Sequence, residues 1–290
     1  MATKIICYGE VLWDTLPEGP LPGGAPMNVA YHLRQAGVDA LVASSVGNDE
    51  AGRGLVRFLQ EKALYSPLVQ QHPSLPTCQV EVITGPGNEV SYRIPFPVAW
   101  DEIGMDEHLR MQASAADGIL YGSLACRNAA SLNTLLELLS QTSAIKIFDM
   151  NLRPPHFSLP QLHLLMEKAD LLKMNETEYE YICSDLETDP APEEGIPAIA
   201  RRFGCPVICV TQGSKGAFLW KEKQLHFQAA MPVQVVDTIG AGDAFLAGLL
   251  DGFFRKKSAE EMLAAGIRLG AFVAGSRGAC PEYDISTILS

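Results

Sequence analysis

Seven residues, Asp237-Thr238-Ile239-Gly240-Ala241-Gly242-Asp243, combine small side chains with a carboxylate at the start of a helical pattern. The β-branched run that ends at Asp237 reads as a strand, and Gly240, Ala241 and Gly242 read as a turn. Apolar residues at 244, 245, 246, 249, 250, 253 and 254 then predict a largely buried helix. The first amides of a helix have no partner inside it, and the helix dipole favours negative charge there, so this corner suits a phosphate. Asp243 at the lip would repel an anion unless it had another task. That task is to accept the proton of a hydroxyl attacking phosphorus. Taken without further context, the same pattern also describes a tight strand–helix turn with a capping aspartate.

Other polar groups stand where candidate strands end. Asp14, just beyond the first strand, can accept from two sugar hydroxyls at once or be a solvated loop residue. Gly23 and Gly24 permit close backbone approach to a ligand. Asn28 offers a donor and an acceptor to a polyol, or caps a helix. Asp149, Asn151 and Arg153 alternate with apolar residues, so an extended segment would face all three to one side, with Arg153 able to grip phosphate. Asn175 and Glu178, three apart on a helix face, can order the water shell of Mg²⁺ or form an ordinary cap. Thr211, Gly213 and Gly216 form a glycine-bounded turn after an apolar strand.

The elements that position these groups alternate between short apolar runs and helix-period segments. Strands are predicted at 4–8, 40–46, 118–121, 144–149, 171–174 and 207–211. Helices are predicted at 28–35, 51–62, 129–139, 176–183, 196–203, 241–255 and 259–274. This alternation implies an α/β domain with a mostly parallel sheet covered on both faces. Insertions at about 13–26 and 77–97 break the rhythm, the second as a hairpin turning at Gly85-Pro86-Gly87-Asn88, and together they predict a small β-lid. A further hairpin is expected at 217–221 and 224–229, as an antiparallel edge of the main sheet.

The composition, 47% apolar and 19% charged over 290 residues, is that of an ordinary globule, read as one domain spanning 1–290. A net charge of −12 argues against nucleic acid or an anionic membrane as partner. Seven scattered cysteines, none with zinc-ligand company, predict buried core positions and a reduced, cytoplasmic setting. Neither a secretory signal nor a membrane-spanning run is evident.

The string Asp-Thr-Ile-Gly-Ala-Gly-Asp resembles the C-terminal signature of the ribokinase-like (PfkB) carbohydrate kinases, and the other motifs follow that family's order from Gly9 to Ala279. The segment Gly23-Gly24-Ala25-Pro26-Met27-Asn28 is most similar to the fructokinase branch. The resemblance implies a kinase that moves the ATP γ-phosphoryl group to a sugar hydroxyl beneath a β-lid. It assigns Asp14, Gly23, Gly24, Asn28, Arg93 and Arg153 to the sugar side. It places Asn175, Thr211, Gly213, Gly216 and Gly242 along ATP, and Glu178 on Mg²⁺ through water. Gly240, Ala241 and Gly242 become the phosphate-binding amides, with Asp243 as base. Asp237 and the Gly278-Ala279 pair match a monovalent-cation loop, which implies K⁺, and Ile267 stands where many relatives carry an Asn beside the adenine. Lid-to-lid homodimers occur in the family. Fructose is the expected acceptor, with ribose and 2-keto-3-deoxygluconate as alternatives of the same chemistry. A non-catalytic sugar or nucleotide sensor is a different class of reading. A dinucleotide oxidoreductase would need the glycine fingerprint that is missing after the first strand.

Overall fold

A computed structural model gives the fold and describes residues 3–16, 19–84 and 90–289. From its N-terminal side the chain forms β1 (Lys4–Tyr8), β2 (Leu12–Leu16), β3 (Gly19–Gly23), α1 (Ala25–Gln35), β4 (Asp39–Gly47), α2 (Glu50–Glu61) and β5 (Val69–His72). Next come β6 (Gln79–Thr84), β7 (Val90–Arg93), α3 (Glu107–Ser114), β8 (Gly118–Gly122), α4 (Ala129–Ser140), β9 (Ile145–Asp149) and α5 (Leu159–Met166). The remainder is β10 (Leu171–Asn175), α6 (Glu176–Asp185), α7 (Pro192–Phe203), β11 (Val207–Thr211), β12 (Gly216–Lys221), β13 (Gln224–Ala229), α8 (Ala241–Phe254), α9 (Ala259–Ala274) and α10 (Ser286–Leu289).

Nine strands make the main sheet in the order β13-β12-β11-β10-β9-β8-β1-β4-β5. All neighbours pair parallel except β11–β12 and β12–β13, so the expected antiparallel hairpin forms one edge. Alternation along the central strands feeds two cores: Ile6 and Tyr8 of β1 enter one, Ile5 and Cys7 the other. Such strands must be apolar on both faces, which the sequence Lys4-Ile5-Ile6-Cys7-Tyr8 achieves beyond its first residue. The chain runs outward from β1 to β4 and β5, then returns to β8 and continues the other way. The direction therefore reverses between β1 and β8, and the carboxyl ends of the strands there open the crevice in which α/β folds bind ligands.

Local chemistry sets the helix ends. Asp49 caps α2 by accepting from the Gly52 amide at 2.7 Å, and Ser258 with Glu261 closes a capping box on α9. The apolar helix α8 packs between α1 and α9. A side chain at Gly248 would place a Cβ 2.6 Å from the Ala265 carbonyl oxygen, so α8 and α9 touch through their backbones.

A second sheet, β3-β2-β6-β7, comes from the two predicted insertions. β2 pairs antiparallel with β3 and parallel with β6, and β6 pairs antiparallel with β7. The turn expected at Gly85-Pro86-Gly87-Asn88 lies outside the described residues.

Several expectations are corrected. The run before Asp237 is not a strand: residues 230–236 are irregular, and Val235 and Val236 are about 60% exposed, at 59% and 62%. Helix α1 begins at Ala25, so Asn28 lies in its first turn rather than at its cap. β9 stops at Asp149, and Asn151 adopts a left-handed φ of 41°, so Asp149, Asn151 and Arg153 do not lie along one extended face. β5, α3, α5 and α10 lie outside the predicted elements.

Candidate active site

The Gly240 corner is built as its small residues require. Gly240 is the N-cap of α8 with φ 75°, and a Cβ there would lie 2.5 Å from the Ala279 Cβ, so a glycine is needed on both counts. The Ala241 amide turns back to the Thr238 carbonyl at 3.3 Å, and the first helical bond runs from the Ala244 amide to Gly240 at 2.9 Å. The amides of Gly242 and Asp243 precede that bond, leaving them for a ligand.

Asp237 braces this corner. Its carboxylate accepts from the Ile239 amide at 3.0 Å and, across the fold, from the Gly278 amide at 3.1 Å. The segment after Gly278 is fastened in turn to α1. Tyr31 donates to the Pro281 carbonyl at 2.6 Å, and His32 bridges the Ala279 carbonyl at 2.9 Å and the Tyr283 hydroxyl at 2.7 Å. Burial pushes the His32 imidazole down to about 4.

On one side of the corner lies a cavity of ≈ 530 Å³. Thr211, Gly213 and Gly216 line it, as do Ala241 and Gly242, so those sequence-predicted residues come together. Phe245, Ile267, Val233 and Val235 give it apolar walls suited to a flat heterocycle. Gly216 has φ 128°, and its Cβ would sit 2.2 Å from the Gln228 carbonyl.

On the other side Asn28 meets Asp243: the Asn28 amide donates to the Asp243 carboxylate at 2.8 Å. Burial and the nearby Asp149 carboxylate push Asp243 up to about 6, while Asn28, Lys173 and Arg153 hold it down. Asp14, on β2, is raised by burial and opposed by Arg153. Its Oδ2 lies against Gly23, where a Cβ would come within 2.5 Å. Gly24, with φ 116°, has the Glu10 carbonyl oxygen 2.3 Å from its Cβ position. Arg153 acts electrostatically on Asp14, Asp243 and Glu10, so these groups lie near one another.

Three expected residues have partners of their own. Arg93 is exposed on β7 and pairs with Glu81 at 3.6 Å, two strands across the second sheet from Thr15. Asn175 and Glu178 form a capping box at the start of α6, and Glu178 spends its oxygens on the Asn175 and Leu152 amides, each at 2.8 Å. Glu178 is buried, which raises it, while Lys173 opposes that rise. Among the described residues no group of three or more His, Cys, Asp or Glu side chains could enclose a metal. An ion carried in by a nucleotide needs only one or two protein carboxylates.

Two charged residues were missed, Glu10 and Lys173, and the second pairs with the expected Asp149. Glu10 is buried, its Oε2 has no partner, and burial raises it to about 7 against the pull of backbone amides and Arg153. Asp149 and Lys173 form a buried ion pair at 2.9 Å. For Lys173 the available signal was a charge inside the otherwise apolar run of β10.

A family model described as pfkB family carbohydrate kinase matches residues 20–285. The chain belongs to this family. It is a sugar kinase, a phosphotransferase with an alcohol group as acceptor. The fructokinase of Escherichia coli is 28% identical to it over 273 residues, covering 87% of this chain and 85% of the relative. That of Klebsiella pneumoniae is 30% identical over 265 residues, with 87% and 85% covered. The crystal structure of fructokinase with bound ATP from Xylella fastidiosa superposes with a TM-score of 0.84 at 21% identity, covering 100% of this chain and 98% of that one. Likenesses of this kind identify the fold as that of the ribokinase-like sugar kinases, as expected. Among the described residues of this pfkB-family protein, no helix is long and apolar enough to cross a membrane.

Proposed function

We propose that this kinase transfers the γ-phosphoryl group of ATP to a primary hydroxyl of a monosaccharide, with fructose as the acceptor. The observation that carries the reading is the position of Asp243. It lies in the first turn of α8, next to the Ala241–Gly242 wall of the apolar cavity, and its carboxylate meets Asn28 of α1.

ATP would lie in the cavity with its purine near Ile267 and its phosphates toward the amides of Gly242 and Asp243. Thr211, Gly213, Gly216 and Asn175 would line its path. The sugar would be held by Asp14, Gly23, Gly24, Asn28 and Arg153, with Arg93 on the second sheet closing as part of a lid. The acceptor oxygen bonds to phosphorus as the bond from phosphorus to the ADP oxygen breaks. That electron pair stays on ADP, and the acceptor's proton passes to Asp243. Amides fixed in advance at the phosphoryl oxygens stabilise the charge without reorganising.

Bound Mg²⁺ would screen the β- and γ-phosphates. Asp149, whose Oδ2 is buried without a partner, would hold its waters together with Asn175 and Glu178. K⁺ would sit where Asp237 ties the 237–240 loop to Gly278. A Vibrio cholerae fructokinase structure at TM-score 0.82 is described in a fructose, ADP and potassium ion bound form, which supports testing both ligands. A lid-to-lid homodimer in the cytoplasm completes the proposal.

The fructokinase relatives favour fructose over ribose or 2-keto-3-deoxygluconate. A coupled ADP-release assay across hexoses, pentoses, nucleosides and sugar acids tests this directly. Fructose should give the highest kcat/KM, and ADP formation with no member of the panel would leave only the sensor reading.

A further inference from the structure

A strand buried on both faces of a parallel sheet has no place for a charge unless something answers it. β9 and β10 are apolar along the α8 side until Asp149 and Lys173, which stand as direct partners in the ladder. They sit one step beyond Ile147 and Leu171, which are buried in the core on that side. Their side chains are only 4% and 7% exposed, and the single hydrogen bond described for the Lys173 ammonium is to Asp149 at 2.9 Å. An ammonium carries three donors, and the second Asp149 oxygen has no partner at all. An ion pair buried with open valences is a poor way to hold a sheet together, because desolvation costs about as much as the attraction returns.

The direction of the open valences suggests their use. A Cβ on Gly242 would lie 3.5 Å from the Lys173 Nζ, so the ammonium reaches the first turn of α8. Asp149 beside the ammonium and the start of α8 within its reach place this cation where phosphates would enter.

We infer that Lys173 is a catalytic residue of this kinase, its ammonium binding the terminal phosphoryl group of ATP, and that Asp149 is the residue that positions it. The inference rests on the proposed ATP chemistry and adds a contact to it. Lys173 would reach the phosphoryl oxygens from β10 while the amides of Gly242 and Asp243 reach them from α8. As the bond to ADP breaks and the bond to the acceptor oxygen forms, the ammonium would stay with the phosphoryl group. Gly242 leaves the gap between Nζ and those amides open, and any side chain there would fill it.

The test compares nucleotides that differ in the terminal phosphate. Calorimetric dissociation constants for ADP and for a non-hydrolysable ATP analogue are measured on the wild type, on Lys173→Met and on Lys173→Met/Asp149→Asn. The double variant removes the carboxylate that the single one strands, which guards against a folding failure. The analogue should bind about 10- to 100-fold more weakly to both variants, as expected for a lost charge-assisted hydrogen bond, while ADP stays within about threefold. Turnover of the wild type's best sugar should fall about 10²- to 10³-fold. Equal losses for both nucleotides, or an unchanged analogue affinity in the double variant, would overturn the assignment. A wild type that phosphorylates no sugar would instead overturn the kinase proposal, and the nucleotide comparison would still decide the Lys173 contact.

Discussion

The side chains of Asn28 and Asp243 meet at 2.8 Å although 215 residues separate them in the chain. One comes from α1, which follows β3 of the second sheet, the other from the helix at the glycine corner. Their bond fixes the direction of the carboxylate and competes with burial over its proton.

Replacing Asp243 by Asn should preserve shape and remove the base. We expect kcat to fall by about 10²–10⁴ while the affinities for sugar and nucleotide change little. Single-turnover kinetics with calorimetry checks this, and turnover near the wild-type rate would remove Asp243 from the mechanism.

The raised pKa of Asp243 sets an acid limb. A base must be ionised, so kcat/KM should decline as the pH drops through about 6, the value to which burial and Asp149 push it. Asn28→Ala withdraws the hydrogen bond that holds that value down, so the limb should move to higher pH, with kcat/KM at neutral pH lower by about 10- to 100-fold. A pH–rate profile that does not shift in Asn28→Ala would show that the bond does not tune the base.

Glu10 predicts an effect on stability. Its folded pKa is about 7 against an ordinary 4.5, so the folded protein holds a proton that the unfolded chain has released between those values. Stability from this group is complete below 4.5 and is lost as the pH rises through 7. Glu10→Gln should therefore be more stable than the wild type at pH 8, by on the order of 2 kcal/mol, with the difference shrinking toward pH 5. Urea melts at the two pH values measure it, and a pH-independent difference would contradict the burial account.

Gly240→Ala forces a side chain into a left-handed backbone and against Ala279. A loss of about 1–3 kcal/mol in unfolding free energy is expected, together with weaker binding of any phosphate ligand. An unperturbed melting curve would show that the corner can adapt.

Much of the crevice was readable because its groups are local signals. Gly24, Asn28, Gly216 and the Gly240–Asp243 corner are recognisable from residue type and from their place between a strand and a helix. What failed was the assumption that β-branched residues imply pairing. Val233 and Val235 do not join a ladder: they line the cavity beside Ile267. Strand propensity measures fit to a half-buried surface, and that surface can be a ligand pocket. Short elements such as β5 and α5 were missed because four to eight residues give too few turns of periodicity. Lys173 escaped notice as the partner of Asp149 because only the ladder puts the two side by side.

The stitching of Gly278, Ala279, Pro281 and Tyr283 to Asp237 and α1 has a practical consequence for handling the protein. These residues are the hidden keystone of the crevice, since they hold the glycine corner and the Asn28 helix in mutual alignment. Deletions or fusion junctions belong beyond Tyr283; a cut before Gly278 would let the two halves of the catalytic apparatus drift out of alignment.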